Sequence, residues 1–573
     1  MVSSLRLAGA IVVGATFVVP LAAQKNAPAT YAITNARIIP VSGPVIDKGT
    51  IVVRGGVIAA VGATVGAPAD ARLIDGSGLS IYPGLIDAYG TLGQVAAAAP
   101  VNGGGGRGAG GGAAAAAPAR LSNYGAGLQP ELSVVDELAP TESGFDAAHA
   151  AGITTALTGV GAGIFRGQSA VINLIGDDAS VMIVKAGVSQ NIGFARGGGG
   201  GRGGYPGSLM GVFAALRQEL LDAQHYRDVK TAYDKNPRGM ARPDFDPSLD
   251  ALQPVINGTQ PVIMFANSER EIIRALDLAR EFKLRAMIAG GTEAYKVTAR
   301  LKAENVPVLL SLNFPRRGVA GAAGGGGFGG GGGRGGGAAS PDDPEPMTML
   351  RARVQAPKTP NMLAAAGVKF AFESGADFTN MIANMRKAIA AGLPAEQALR
   401  AFTLAPAELF GVSDRLGTIE VGKIANLTIT KGELSDSTGH VTQLFIDGRP
   451  VTVAEPTATA AGGAGGGRGN RPGVDATGRW TVSLLLDGLE RTVRLTFQQD
   501  GDQLSGVIEG DLGANQVLNG SIGRDGTFYF TATVSLKNGT EEAEFSGTFD
   551  RDGIHGQFDV EGHKTGSFSG SHN

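Results

Sequence analysis

The pattern of the chain changes at the stretch Tyr-Pro-Gly-Leu-Ile-Asp-Ala-Tyr-Gly-Thr, residues 82–91. Before it, residues 30–80 contain short β-branched runs separated by turn residues, which predict strands and hairpins. After it, residues 81–412 alternate short apolar runs with amphipathic stretches, which is typical of βα units around a parallel sheet. The stretch therefore opens the larger of the two regions.

The composition sets the number of domains and narrows the choice of partners. At 573 residues the chain is expected to hold about three or four domains. The formal charge of −3 gives no reason to expect a nucleic acid or an acidic membrane surface as a partner. Many of the 91 glycines lie in four tracts, which predict loops or linkers because they cannot bury enough surface to offset their ordering entropy. The tracts are Gly103–Gly112, Gly198–Gly204, Gly321–Gly337 and Gly462–Gly467.

The N-terminal residues have the pattern of an export signal. Arg6 gives a positive start, Leu7 to Pro20 an apolar core and Leu21-Ala22-Ala23 a cleavage site, so residues 1–23 are predicted to be a signal peptide. The alternative is an uncleaved membrane anchor, although a span needs about 20 apolar residues. No later segment is long and apolar enough to span a bilayer, and the chain has no cysteine for disulfides. We expect a periplasmic or secreted protein with no membrane span after signal removal.

Two β-rich segments flank the βα region. Residues 30–80 and 413–455 share one strand-and-turn pattern, and we expect them to form a composite β-sandwich. Residues 81–412 predict an α/β fold, a (β/α)8 TIM-like barrel, with a doubly wound open sheet as the alternative. A Gly-rich linker at residues 456–473 leads to a C-terminal all-β domain at residues 474–573. Its evenly spaced strands predict an antiparallel barrel or sandwich, and they resemble lipocalin-like modules.

Four motifs carry a resemblance to a known family. They are YPGLID at residues 82–87, AGITTA at 151–156, GTEAY at 291–295 and LGTIEVGK at 416–423. Together they resemble the amidohydrolase superfamily, particularly its imidazolonepropionase-like secreted members, over residues 31–451. The resemblance implies a TIM-like barrel and, commonly, a zinc ion that polarises an amide carbonyl and activates water.

The positions that the resemblance assigns to metal ligands hold other residue types. Family members place histidines on strands one, five and six and an aspartate on strand eight. The two strand-one positions are occupied here by Tyr89 and Thr91. The later positions are occupied by Phe265 or Asn267, Gly290 and Gly375. The motifs therefore predict the fold, while the zinc site is expected to be missing.

The histidines of the chain do not supply a replacement site. There are six, and four lie outside the predicted barrel: His440, His555, His563 and His572. The other two, His149 and His225, fall in predicted helices without the spacing of metal ligands. Both are interpreted as helix-surface residues.

The remaining polar candidates are expected to meet at the barrel mouth. Glu373 and Asn267 are candidates for catalysis, through general acid–base chemistry or around Mg²⁺ or Ca²⁺. Tyr89, Thr91 and Glu293 are candidates for binding a small-molecule ligand. The aspartate of the opening motif, Asp87, is interpreted as structural.

The sequence predicts an exported amidohydrolase-fold protein that is a metal-free pseudoenzyme, with no cofactor. It would act as a binding protein, or as a partner of an active amidohydrolase paralogue or of a second copy in a homo-oligomer. The alternative is an active hydrolase of carbon–nitrogen (non-peptide) bonds with an atypical site, for which zinc would be the cofactor.

Overall fold

The computed structural model describes most of the chain outside its glycine tracts. The described residues are 30–94, 127–160, 163–176, 178–194, 206, 208–315, 347–375, 377–436, 439–453, 476–486, 489–500, 503–522, 526–536, 539–549, 553–560 and 566–572. The signal peptide, the linker and the four glycine tracts predicted from the sequence lie outside the described residues.

Five strands precede the central region: β1 (Tyr31–Ile38), β2 (Ile46–Arg54), β3 (Val57–Gly62), β4 (Arg72–Asp75) and β5 (Leu79–Pro83). The β2–β3 hairpin turns at Gly55 and Gly56, whose φ angles are +60° and +83°. A two-residue turn with positive φ at both positions matches the right-handed twist of the strands, and glycine adopts it at no steric cost.

Ten strands and twelve helices form the central region. The strands are β6 (Leu85–Gly90), β7 (Ile153–Thr158), β8 (Phe165–Gln168), β9 (Ala170–Asn173), β10 (Ile183–Lys185), β11 (Gln190–Gly193), β12 (Val262–Ala266), β13 (Ala286–Gly290), β14 (Val308–Ser311) and β15 (Phe370–Glu373). The helices are α1 (Asp146–Ala150), α2 (Ala179–Met182), α3 (Leu209–Lys235), α4 (Pro247–Ala251), α5 (Gln253–Ile256), α6 (Glu269–Phe282), α7 (Thr298–Ala303), α8 (Met347–Gln355), α9 (Thr359–Ala366), α10 (Phe378–Ala390), α11 (Ala395–Phe402) and α12 (Leu404–Phe410). Within the described ranges, every helix is too short or too polar to cross a membrane.

The strands of the central region belong to two sheets that meet edge to edge. One sheet has the order β10-β9-β7-β6 and the other the order β15-β14-β13-β12-β11-β8. Strands β11 to β15 are parallel, as are β6 and β7, whereas β8, β9 and β10 run antiparallel to their neighbours. The predicted (β/α)8 TIM-like pattern is therefore interrupted between β7 and β11, and it resumes where α3 to α5 connect β11 to the parallel strand β12. Residues 153–193 contain only the four-residue helix α2, and without a crossover helix the chain returns antiparallel.

Two apolar clusters separate the inside of this region from its outside. The inner cluster lies between the strands and includes Ile86, Leu157, Val171, Ile263, Met287, Leu309 and Ala371. The outer cluster packs the opposite faces of the same strands against the helices, with Met264, Ile288 and Phe372 among its members. Alternate residues of each strand thus enter one cluster or the other, as expected for a barrel core covered by helices.

Three later strands return to the first flank: β16 (Leu427–Lys431), β17 (His440–Ile446) and β18 (Arg449–Thr452). Strand β5 pairs with both β1 and β16, which joins the two flanks in a single sheet of order β18-β17-β16-β5-β1-β2-β3, with β4 beside β1. The two flanks are combined in one continuous sheet, and strands from both flanks share one apolar cluster that includes Ile33, Ile58 and Phe445. Its division into the two facing sheets of a sandwich stays a prediction.

The C-terminal residues form a closed barrel of eight antiparallel strands. They are β19 (Gly478–Leu486), β20 (Leu489–Asp500), β21 (Gln503–Gly510), β22 (Gly513–Ile522), β23 (Thr527–Leu536), β24 (Gly539–Phe549), β25 (Ile554–Val560) and β26 (Gly566–His572). Each strand pairs with the next, and β26 pairs with β19. The core of this barrel is rich in aromatic rings, among them Trp480, Phe497, Phe530, Phe545 and Phe558.

Candidate functional site

The candidate site lies where β6, β12, β13 and β15 end. Parallel strands of a barrel end on the same face, and this face carries the active sites of TIM barrels. The side chains there include Tyr89 from β6, Glu373 from β15 and Phe265 from β12, while Gly290 ends β13. We call this end of the central region the mouth.

An aromatic pair occupies the middle of the mouth. The ring of Tyr89 meets that of Phe265 edge to face, with 4.8 Å between centroids and an interplanar angle of 72°. The Tyr89 hydroxyl is buried and has no hydrogen-bond partner among the described residues, and it lies beside the backbone of Gly159, just past β7. Burial raises the pKa of Tyr89; Arg166 opposes this rise and the nearby Glu373 adds to it. The phenol therefore stays protonated.

A guanidinium group lies over the other ring of this pair. The Cζ atom of Arg166, on β8, is 4.2 Å from the centroid of Phe265, a cation–π distance. Its Nε donates a hydrogen bond to the carbonyl oxygen of Gly163 at 3.2 Å. Gly193 on β11 leaves the space that the guanidinium fills, because a Cβ atom there would be 2.5 Å from Nη2 of Arg166.

The charge of Arg166 has no acidic partner among the described residues. Arg166 is only 9% exposed. Within the described chain it interacts with Gly163, Phe265 and Tyr89. Burial lowers the pKa of Arg166, an effect that Tyr89 opposes. Because arginine has an intrinsic pKa above 12, it remains charged, and the mouth holds an uncompensated cation.

Two carboxyl groups lie deeper in the mouth. Burial raises the pKa of Asp87 to about 7, although the backbone N–H and the hydroxyl of Ser374 both donate to it at 2.8 Å. Burial also raises the pKa of Glu373 well above its usual range, and Asp87 adds to the rise, while the backbone N–H of Gly290 opposes it. Burial therefore favours the neutral form of Glu373 over the carboxylate.

The pair formed by Asp87 and Ser374 also closes the ring of strands. β6 and β15 lie side by side as the last strands of the two sheets, which have no shared ladder in the described chain. The two hydrogen bonds between these residues connect one strand to the end of the other. This placement agrees with the structural interpretation of Asp87.

Asn267 and Gly290 are neighbours at the ends of β12 and β13. A Cβ atom on Gly290 would lie 2.3 Å from Oδ1 of Asn267, which is buried and without a hydrogen-bond partner. The backbone N–H of Asn267 donates to Glu271, and Glu271 forms a capping box with Ser268 at the start of α6. Asn267 therefore lies at the rim of the mouth, beside the backbone that also contacts Glu373.

The other two candidates from the sequence, Thr91 and Glu293, lie outside this group of side chains. Thr91 is exposed, just past the end of β6. Glu293 accepts hydrogen bonds from the backbone N–H of Glu269 at 2.8 Å and from Lys296 at 2.7 Å. The structure thus brings together Tyr89 and Glu373, with Asn267 at the rim, whereas Glu293 holds the start of α6 and pairs with Lys296.

The histidines are divided between the core and the surface. His225 is exposed on α3, which confirms its interpretation. The interpretation of His149 as a surface residue is wrong, because it is only 8% exposed and its Nε2 lies 2.7 Å from the carbonyl oxygen of Leu174. The short helix α1 packs against the sheet, so the His149 ring forms a hydrogen bond with a loop carbonyl group instead of with water.

The residues at the mouth do not fit a catalytic zinc ion. Phe265 and Gly290 provide no side-chain ligand, and the buried carboxyls of Asp87 and Glu373 have raised pKa values. The guanidinium of Arg166 adds a positive charge beside Phe265. Across the described ranges, no group of three or more His, Cys, Asp or Glu residues could hold a metal ion.

Sequence reasoning missed Arg166, which contributes the only charge that we place at the mouth besides the two acids. It lies in the run Ile164-Phe165-Arg166-Gly167-Gln168, and an arginine between buried apolar residues was a possible signal. This run forms β8, which is antiparallel to its neighbour β11. A barrel of uniform βα units has no such strand, so the resemblance assigned no role to Arg166.

Comparisons with known proteins agree with this geometry. The model of the amidohydrolase family matches residues 346–451, which include Glu373. No curated protein matches the chain. Among solved structures, an amidohydrolase from Thermotoga maritima is similar with a TM-score of 0.58 and 23% identity, covering 74% of this chain and 99% of that one.

Two further solved structures match over the same share of the chain. A Xaa-Pro dipeptidase with bound methionine has a TM-score of 0.41 and 17% identity, covering 74% of this chain and 100% of that one. A zinc-bound adenosine deaminase from Xanthomonas campestris has a TM-score of 0.37 and 18% identity, covering 74% and 93%. The match to the family model over residues 346–451 supports the resemblance predicted from the four motifs, and the amidohydrolase from Thermotoga maritima shares the fold of this chain.

Proposed function

We propose that this chain is a binding protein of the amidohydrolase superfamily that lacks the metal-dependent hydrolysis of the family. The mouth would take a small molecule without cleaving it. Tyr89 and Arg166 would contact the ligand, and Asp87 would serve to close the barrel.

The observation that carries this proposal is the guanidinium of Arg166 stacked on Phe265 in the mouth. Two like charges at a few ångströms repel by several kcal/mol at an effective dielectric constant of about 20. A divalent cation would meet that repulsion beside two carboxyl groups whose raised pKa values weaken them as ligands. The mouth is therefore suited to an anion or a neutral polar group, and unsuited to a catalytic zinc.

A second candidate function rests on Glu373. A buried glutamic acid with a raised pKa can donate a proton to a leaving group, as general acids do. The chain would then be a hydrolase of carbon–nitrogen (non-peptide) bonds with an atypical site around Glu373 and Asn267. Since the residues present do not fit zinc, such a hydrolase would have to work by acid–base chemistry.

Metal content and hydrolysis together decide between the two candidates. We expect protein purified from zinc-supplemented medium to hold less than about one transition metal per several chains, because tight binding needs several convergent ligands. We also expect no amidase activity on dipeptides or N-acetyl amino acids. Mass spectrometry of the metals and an amine-release assay provide the measurements.

The contradicting result is amide hydrolysis, with or without bound zinc, that the substitution Glu373→Ala abolishes. Glu281→Ala is the matched control, since this carboxylate is exposed and pairs with Arg217 on the surface. Loss of activity in both variants would indicate damage to the fold and not a role for Glu373.

Location and partner are further parts of the proposal. The N-terminal pattern supports export to the periplasm or beyond, and cell fractionation tests it. An inactive barrel can pair with an active amidohydrolase paralogue or with a second copy of itself. Co-purification and light scattering are the measurements, and a monomer that captures no paralogue would remove this part while leaving ligand binding intact.

A further inference from the structure

The most unusual electrostatic feature of the described chain is the buried cation at the mouth. Arg166 is only 9% exposed, forms a single hydrogen bond from Nε and makes no ion pair with a described residue. Buried charges are otherwise paired, because leaving one unpaired costs several kcal/mol. A group that supplies the missing negative charge would lower the free energy of the folded chain.

A second unsatisfied donor lies beside this cation. The Tyr89 hydroxyl is buried without a partner, and its electrostatic interaction with Arg166 places the two groups near each other. The ring of Tyr89 contacts the same Phe265 that Arg166 covers. A single anion with two oxygen atoms could therefore accept hydrogen bonds from both Arg166 and Tyr89, which would satisfy two buried groups at once.

We propose that the mouth binds the carboxylate of a small organic anion, held between the guanidinium of Arg166 and the hydroxyl of Tyr89, with Phe265 beneath the guanidinium. This names the ligand class for the binding function proposed above and rests on it.

The surroundings favour a singly charged carboxylate over a phosphate. Arg166 is the one cation that we place at the mouth, and the acids Asp87 and Glu373 lie close to Tyr89. A phosphate dianion would leave about one negative charge uncompensated near these groups. A planar carboxylate matches the fork of a guanidinium in shape and in charge.

The backbone at Gly193 gives the guanidinium its position. A Cβ atom would come within 2.5 Å of Nη2 and 2.6 Å of Nε of Arg166, so any larger residue has to displace the group. We assign Gly193 a positioning role. A substitution at Gly193 should therefore weaken binding of the carboxylate, although both donors of the site, Arg166 and Tyr89, are still present.

The test measures binding of benzoate to the full chain by isothermal titration calorimetry. Benzamide has the same shape without the charge, and inorganic phosphate is the competing anion. We expect benzoate to bind and benzamide not to bind, with phosphate weaker than benzoate at equal ionic strength. Arg166→Gln should raise the Kd for benzoate roughly ten- to hundredfold, the usual cost of losing a charged hydrogen bond.

A second measurement separates this role from a purely structural one. If Arg166 is an unpaired buried cation, Arg166→Gln should leave the ligand-free protein as stable as the wild type or more stable in calorimetric melts. Benzoate should raise the melting temperature of the wild type but not that of this variant. Arg217→Gln removes the same charge from the outer surface, where Arg217 pairs with Glu281, and should behave as wild type towards benzoate.

Three results would overturn the inference: no benzoate binding by the wild type, equal binding by the Arg166→Gln variant, or tighter binding of phosphate than of benzoate. Each can occur in a protein that is free of metal and inactive as an amidase, in which case the proposed binding function stands with another ligand. Stoichiometric zinc with hydrolysis would instead remove the proposed function itself.

Discussion

Two buried tyrosines of this chain differ in what their hydroxyl groups contact. The hydroxyl of Tyr82 accepts a hydrogen bond from the backbone N–H of Leu434 at 3.1 Å, whereas that of Tyr89 has no partner. Since an unsatisfied buried group costs about 1–3 kcal/mol, we expect Tyr89→Phe to raise the free energy of unfolding by about 1 kcal/mol in urea titrations. Tyr82→Phe makes the same chemical change and should lower it, because it leaves the Leu434 donor unpaired. Equal effects of the two changes would show that the Tyr89 hydroxyl already has a partner.

The residue that closes the barrel should also make stability depend on pH. Burial raises the pKa of Asp87 from 3.8 to about 7, so the folded state binds its proton more tightly than the unfolded state does. The stability from the neutral form is fully present below pH 4 and is lost as the pH rises through 7. At about 1.4 kcal/mol per pKa unit, the loss is roughly 4 kcal/mol between these limits.

Asp87→Asn removes this titration, since the amide stays neutral. We expect urea denaturation, followed by circular dichroism between pH 4 and 8, to give a flatter profile for this variant than for the wild type. Glu373, whose pKa is also raised, keeps part of the slope. Asp414→Asn changes an exposed carboxylate and should leave the wild-type slope. A wild type that becomes more stable towards pH 8 would contradict the buried neutral aspartic acid.

At the scale of the element, α3 carries a further buried acid besides Asp87 and Glu373. Both carboxyl oxygens of Glu219 are buried without partners. Burial raises its pKa to about 9, and the nearby Glu131 adds to the rise. The stability contribution of the neutral form is present below the unfolded pKa of 4.5 and is lost as the pH approaches 9. Glu219→Gln should therefore stabilise the chain by several kcal/mol at pH 9 and change little at pH 5 in urea titrations. Asp228→Asn, on the exposed face of the same helix, is the control, and a pH-independent effect of Glu219→Gln would rule out the raised pKa.

The elements that could be predicted are those with a strong local signal. The amphipathic stretch at residues 269–282 forms α6, whose start is fixed by the capping box of Ser268 and Glu271. The next such stretch, residues 292–304, holds only the short helix α7, which begins at Thr298. Gly290 and Gly291 have positive φ, and Glu293 is used to hold α6, so the chain turns before the helix begins. The local sequence pattern does not predict these long-range contacts.

At the scale of the whole molecule, the motifs predicted the fold that the chain shares with an amidohydrolase, and they predicted which residues lie at the ends of its strands. Tyr89, Phe265 and Gly290 all lie at the mouth, because the motif positions are tied to the ends of strands. The role of Arg166 could not be predicted in this way. Its approach to Phe265 depends on an antiparallel strand and on the small size of Gly193, and neither is visible without the pairing of β8 with β11.

The single tryptophan of the chain, Trp480, makes the two large units separately observable. It lies in the core of the C-terminal barrel, where its Nε1 donates to the carbonyl oxygen of Ala476 at 3.0 Å. Arg353 of α8 and Glu544 of β24 form a partly exposed ion pair across the units at 3.2 Å. Such a pair contributes at most about 1 kcal/mol, too little to make two cores unfold as one.

We therefore expect the urea transition seen by Trp480 fluorescence to differ from the transition seen by circular dichroism, to which the helices of the central region contribute. Asp87→Asn should shift only the second transition, because Asp87 lies in the central region. Phe545→Leu should shift only the first, since it opens a cavity in the core that contains Trp480 and costs roughly 1–3 kcal/mol. If both variants move both transitions equally, the barrels unfold as one cooperative unit, and the pH dependence argued for Asp87 would then appear in the fluorescence as well.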